Sequence, residues 1–220
     1  LTPIELQEKE GLALINGTDG MLGMLCLAIH DLRELLVVAD IAAAMSVEGL
    51  LGTDDVFAAD LHALRPQPGQ AVSAANIRKI MADSAIRASH DVEECPRVQD
   101  AYSLRCSPQV AGGVRDTVDH AARVAGWELA SAVDNPVVTL EGRVESNGNF
   151  HGAPVAYALD FLAIVAAIMM SIIRSREARN VATYGSARWA EDKEIRAAGL
   201  LGPDGVLLGR YDRDYLRHDG

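Results

Sequence analysis

Apolar side chains recur along residues 21–51 at Met21, Met24, Leu25, Ile29, Leu32, Leu36, Ile41, Met45 and Leu50, covering more than one face of a helix. A helix that is apolar most of the way round is buried on several sides, as inside a bundle. The pattern predicts a helix from Met21 to about Leu51, capped by Thr18 or Asp19 and about 45 Å long at ~1.5 Å per residue. Ahead of it, Thr2-Pro3-Ile4-Glu5 gives a hydroxyl cap, a proline at the first helical position and an early acid, predicting a helix to Leu14 or Ile15. Asn16-Gly17-Thr18 separates the two, with Gly17 free to take a positive φ. Beyond residue 52, Asp54 and Asp55 can cap a short helix through His62, and Arg65-Pro66-Gln67-Pro68-Gly69 interrupts regular structure. Further helices are predicted from Ala71 to about Ser84, from Pro108 to about Val133, where Asp134-Asn135-Pro136 ends the pattern, and from Pro154 to Ile173. Between the last two, Val137 to Val144 with Glu141-Gly142 at its centre reads as a hairpin.

Composition narrows this picture. Aromatic residues are only 5% of 220, so Ala, Leu, Val, Ile and Met must fill the core, which favours closely packed helices. A net charge of −11 argues against nucleic acid or an anionic membrane as partner, because both require a basic surface. Cys26, Cys95 and Cys106 are odd in number and lack metal-ligand spacing, which suits a reducing, cytoplasmic compartment and no metal. The uncharged run Phe161–Ile173 is shorter than the ~20 residues a bilayer span needs. The first ten residues carry Glu5, Glu8, Lys9 and Glu10, unlike a signal peptide, and the initial Leu1 points to an internal piece of something longer. From residue 174 the character changes to dense mixed charge without a sustained period. Residues 1–173 are therefore expected to form the helical core, and 174–220 a divergent, frame-shifted or disordered tail. Translating the coding DNA in its other two frames tests the frame-shift expectation.

The segment Cys95 to Val110 concentrates the candidate chemistry. Gln99, Tyr102 and Arg105 follow one another at steps of three. On a helix they would share about a third of the circumference. An amide, a phenol and a guanidinium fork suit the binding of a small acid while a proton moves. An ordinary polar helix face is the plainer reading of the same three residues.

Five stretches together resemble the aromatic amino-acid ammonia-lyases, most closely the members acting on histidine. They are Lys9 to Thr18 (KEGLALINGT), Arg65 to Gln70 (RPQPGQ), Val98 to Cys106 (VQDAYSLRC), Ala132 to Pro136 (AVDNP) and Gly148 to Gly152 (GNFHG). The resemblance implies an all-α fold, a long-helix bundle of the ammonia-lyase and fumarase-aspartase type, assembled as a homotetramer. It implies elimination of ammonia from an amino-acid substrate, which for histidine gives urocanate. It also implies a methylidene-imidazolone electrophile made from an internal Ala-Ser-Gly.

Carried over by position, the resemblance makes Asn16 the asparagine near the electrophile and the substrate amine, and Gln99 an amide lining the site. Tyr102 corresponds to the tyrosine of proton transfer, Arg105 to the arginine that pairs the substrate carboxylate, and Phe150 to the aromatic group beside the electrophile. Taken singly, Asn16 also reads as a helix C-cap, Phe150 as core and Gln99 as a surface amide. The histidines show no metal spacing; His151 falls in a matching loop without an assigned role. No Ala-Ser-Gly occurs in the 220 residues, and the resemblance fades from about Ile168. A phenylalanine or tyrosine ammonia-lyase, a related aminomutase, and a non-catalytic helical assembly module are the competing readings.

Overall fold

The computed structural model describes residues 2–89 and 98–184, with side chains through residue 169 in the last helix. Among the described residues, eight helices carry the fold: α1 (Glu10–Asn16), α2 (Asp19–Gly49), α3 (Ala59–Ala63), α4 (Pro68–Met81), α5 (Ala85–Ala88), α6 (Tyr102–Arg105), α7 (Ser107–Leu129) and α8 (Ala153–Tyr184). A 3₁₀ turn at Asp55–Phe57 precedes α3, and β1 (Val137–Val138) pairs antiparallel with β2 (Val144–Glu145), Val138 opposite Val144. The fold is all-α, as expected, and no single helix among the described residues is long and apolar enough to cross a membrane.

Two compact units divide the chain. The first comprises Leu1–Val37 and Val114–Ala166, and the second Val38–Gly113 and Ala167–Gly220. In the first unit Leu22, Leu25, Ile29 and Leu36 of α2 are buried at helical spacing, as are Val114, Val118, Ala121 and Ala125 of α7 and Val155, Ala158 and Leu162 of α8. Arg115 Nη2 donates to the Leu36 carbonyl at 3.1 Å, and the rings of His120 and Phe161 lie 6.4 Å apart, which ties α7 to both neighbours. In the second unit Ala43, Ala44 and Val47 of α2 pack with Phe57, Ile77, Met81 and Leu104 in one buried cluster. Arg78 donates to the Phe57 carbonyl, and Arg87 pairs with Asp54.

Helix boundaries depart from the sequence pattern where local signals lack packing to support them. α1 begins at Glu10 rather than near Thr2, and it buries no residue; Ile4 is 86% exposed. A cap without a buried face does not offset the cost of helix nucleation. Gly17 sits at φ −77°, an extended conformation open to any residue, so its left-handed freedom is not used. α4 starts three residues early because Pro68 takes its first turn, where a missing N–H costs nothing. α8 continues past Ile173 to Tyr184 through Arg, Glu and Ala, which are strong helix formers. Residues 185–220 of the expected tail, and Cys95 with its neighbours from 90 to 97, lie outside the described residues.

Candidate active site

In the second unit the one-turn helix α6 presents Tyr102 and Arg105. Ala101 in extended backbone opens the turn, and its carbonyl accepts from Leu104 N at 3.0 Å and Arg105 N at 3.1 Å. Leu104 faces down into the apolar cluster. Ser107 Oγ donates to the Ser103 and Leu104 carbonyls at 3.1 and 2.7 Å, which joins α6 to the start of α7. Asp100 is buried, and its Oδ2 accepts from Thr53 N at 2.8 Å, anchoring the approach to α6 against the chain that leaves α2. Gln99 stands before this anchor in an exposed bend. The amide, phenol and guanidinium therefore do not share one helix face; Asp100 and Ala101 are committed to opening the helix at Tyr102.

Tyr102 is 62% exposed, which a core role would not leave it. The Arg105 guanidinium carbon sits 4.5 Å from the centre of the Tyr102 ring, a cation–π contact that fixes phenol and guanidinium relative to each other. No carboxylate among the described residues pairs with Arg105, and its buried Nε has no hydrogen-bond partner. A buried guanidinium N–H without an acceptor is costly, and an incoming carboxylate would relieve that cost.

In the first unit Asn16 and Phe150 line one cavity of about 310 Å³ together with Leu12, Val133, Asp134 and Asn135. Phe150 is 45% exposed, so it forms a wall of this cavity rather than part of a core. A web of asparagines shapes the surrounding loops. Asn135 Oδ1 accepts from Ser146 Oγ at 3.2 Å and Asn147 N at 2.9 Å, and the Asn135–Pro136 peptide is cis. Lys9, at the start of α1, makes an ion pair with Asp134. Of the candidate residues, Asn16 and Phe150 lie on one cavity, and Tyr102 and Arg105 on one helical turn. These two pairs belong to different units, with Gln99 in the second.

The Lys9 ammonium and, after it, the Asn135 N–H hold the Asp134 carboxyl below its ordinary value of 3.8. A depressed carboxyl stabilises the folded chain at pH above its unfolded value, and that contribution disappears as pH falls through the folded value. Asp134 should therefore titrate below 3.8 in a carboxyl NMR titration, and Lys9→Ala should move it back up. A midpoint at or above 3.8 with Lys9 in place would contradict the pairing.

A second cavity, about 790 Å³, opens between the end of α7 and the hairpin, with Glu128, Leu140, Glu141 and His151 in its wall. His151 Nδ1 accepts from Ala153 N at 3.2 Å, so this ring helps start α8. His62 is buried: Nε2 lies 3.1 Å from the Val56 carbonyl oxygen and Nδ1 2.9 Å from Gln70 Nε2, hydrogen bonds that give the ring a structural role. No group of three or more His, Cys, Asp or Glu among the described residues is placed to hold a metal ion.

The family model described as aromatic amino acid lyase matches residues 1–186, well past Ile168. The chain belongs to the aromatic amino acid lyase family. Within this family, histidine ammonia-lyase of Streptomyces griseus is 65% identical over 179 residues, covering 81% of this chain. Among solved structures, histidine ammonia-lyase of Trypanosoma cruzi is 37% identical with a TM-score of 0.70, covering 82% of this chain and 33% of that one. Tyrosine aminomutase of Streptomyces globisporus is 36% identical with a TM-score of 0.72, covering 82% and 38%. This aromatic amino acid lyase chain spans about a third of the length of the curated relatives it matches, 35% of the Streptomyces griseus enzyme.

Proposed function

We propose that this chain supplies part of the active site of a histidine ammonia-lyase, an enzyme that eliminates ammonia from L-histidine to give urocanate. The observation that carries the reading is the Arg105 guanidinium, which has no carboxylate partner among the described residues and is stacked on the exposed Tyr102 ring. Arg105 grips the substrate carboxylate with two parallel hydrogen bonds. Tyr102 takes part in moving the β-proton, and Gln99 contributes an amide to the same site. Family resemblance gives Asn16 the substrate amine, and Phe150 shares the Asn16 cavity in the first unit. In the reaction the β-carbon loses its proton, the electron pair becomes the carbon–carbon double bond, and the carbon–nitrogen bond breaks to release the amine as ammonia.

A methylidene-imidazolone supplies the electrophile that makes the amine a leaving group when it is bound. The residues present fit such a ring: the Asn16 carboxamide offers donor and acceptor, and Phe150 offers an apolar wall, on one cavity of about 310 Å³. Since Ala-Ser-Gly is absent from these 220 residues, the group must come from outside this sequence. The functional unit is a cytoplasmic homotetramer by family resemblance; exposed Trp127, Leu129, Tyr157 and Phe161 are apolar surface that another copy would cover, which supports self-association.

Tyrosine aminomutase activity is the second reading, because the Streptomyces globisporus enzyme matches the backbone as well as the Trypanosoma cruzi lyase does. The 65% identity to the Streptomyces griseus lyase, against 36% to the aminomutase, supports the first reading. The experiment is to replace the matching segment of the Streptomyces griseus lyase with this chain's residues. The chimera, assayed with histidine, phenylalanine and tyrosine, should release ammonia from histidine alone. Release from tyrosine, or a β-amino product, would favour the second reading.

A further inference from the structure

We propose that Asn147 is the positioning residue that sets Phe150 in the wall of the Asn16 cavity, an inference resting on the reading of that cavity as part of a lyase site. Phe150 is only half covered, so side-chain packing alone does not fix it. Its placement comes from the backbone on either side, and Asn147 controls that backbone. The Asn147 Nδ2 group donates to the Asp134 carbonyl at 3.0 Å and to the Glu145 carbonyl at 3.3 Å, using both its hydrogens. Its Oδ1 accepts from Asn149 N at 2.8 Å, one residue before Phe150. Its own N–H donates to Asn135 Oδ1 at 2.9 Å, and His151 N to the Gly148 carbonyl at 3.1 Å closes the turn around Phe150. One carboxamide thus clips three backbone segments together: the end of β2, the turn at Asp134, and the loop that delivers Phe150. Asp134 and Asn135 line the same cavity as Phe150, so the clip joins two of its walls.

The chain contains three phenylalanines, Phe57, Phe150 and Phe161. Incorporation of 4-fluorophenylalanine therefore gives three ¹⁹F lines, that of Phe150 identified by Phe150→Leu. Asn147→Ala should shift or broaden the Phe150 line and leave the line of the fully buried Phe57 in place. Asn147→Asp keeps the shape but sets a carboxylate oxygen against two carbonyls, so it should fail to restore the Phe150 line; this nearly isosteric variant also serves if the alanine form does not fold. In the Streptomyces griseus chimera, Asn147→Ala should lower kcat/KM for histidine about tenfold, in line with the loss expected from a misplaced site wall. A Phe150 line unmoved in both variants, a Phe57 line that moves equally, or an unchanged kcat/KM in an active chimera would overturn the proposal. A chimera inactive with Asn147 intact would instead count against the functional reading, and the ¹⁹F lines would still decide whether Asn147 positions Phe150.

Discussion

Gly112→Ala should cost about 3 kcal/mol, the upper part of the usual range for overpacking. In a domain of this size that lowers the melting temperature by roughly 6–12 °C. A Cβ at Gly112 of α7 would lie 2.3 Å from the Gln70 nitrogen, 2.4 Å from its Cα and 2.8 Å from the Gly69 carbonyl carbon, all backbone atoms at the start of α4. Backbone cannot rotate away as a side-chain tip can, so the helices must separate. Separation would also pull Gln70 from His62, whose two ring nitrogens hold the 3₁₀ turn and α4 together. Neighbouring Gly113 provides the control, since nothing lies within 4 Å of a Cβ there. Gly113→Ala should be neutral or should stabilise by up to about 1 kcal/mol, as alanine gains over glycine inside a helix. Equal losses in the two variants, followed by thermal denaturation, would contradict close packing of α7 on α4.

Arg105→Lys in the Streptomyces griseus chimera should weaken histidine binding and lower turnover together, by about 1.5–3 kcal/mol in kcat/KM, or roughly 10- to 150-fold. Lysine keeps the positive charge but loses the planar fork, and with it the pair of parallel bonds to a carboxylate. It also loses the flat stacking on Tyr102, the contact that sets guanidinium against phenol at 4.5 Å. Tyr102→Phe separates the two roles. The ring and its stacking survive, the hydroxyl does not, so kcat should fall with little change in KM. Unchanged kinetics in Arg105→Lys would remove the carboxylate clamp from the account. An effect of Tyr102→Phe confined to KM would make the phenol a binding group only.

How far the sequence carries the fold depends on whether a signal is local and packed. The apolar pattern of α2 is both; the Glu141-Gly142 turn is exposed but needs no packing, because Gly142 takes φ +80°, a conformation glycine adopts freely, between β1 and β2. The caps at Thr2-Pro3 are local only, and no burial follows them. The site divides in the same way. Tyr102 and Arg105 are three residues apart and meet on a single turn, legible from spacing alone. Gln99 fails the helical reading because Asp100 binds Thr53, a partner 47 residues away that no period reveals. Asn16 and Phe150 are joined by family resemblance, not by spacing. Asn147 carried no sequence signal: its partners lie in a turn and a loop end whose approach depends on the hairpin between them. Gly112 showed only as a small residue in a helix, and its close contact with Gln70 is a property of the packed fold.

The most direct measurement is the ultraviolet absorbance of urocanate produced from histidine by the purified 220-residue chain and by the Streptomyces griseus chimera, side by side. Urocanate should accumulate with the chimera and not with the chain above a heat-killed control, because the proposed binding roles of Arg105 and Asn16 and the proposed proton transfer by Tyr102 do not make the amine a leaving group. Sustained production by the chain alone, or none by a folded chimera, would contradict these roles.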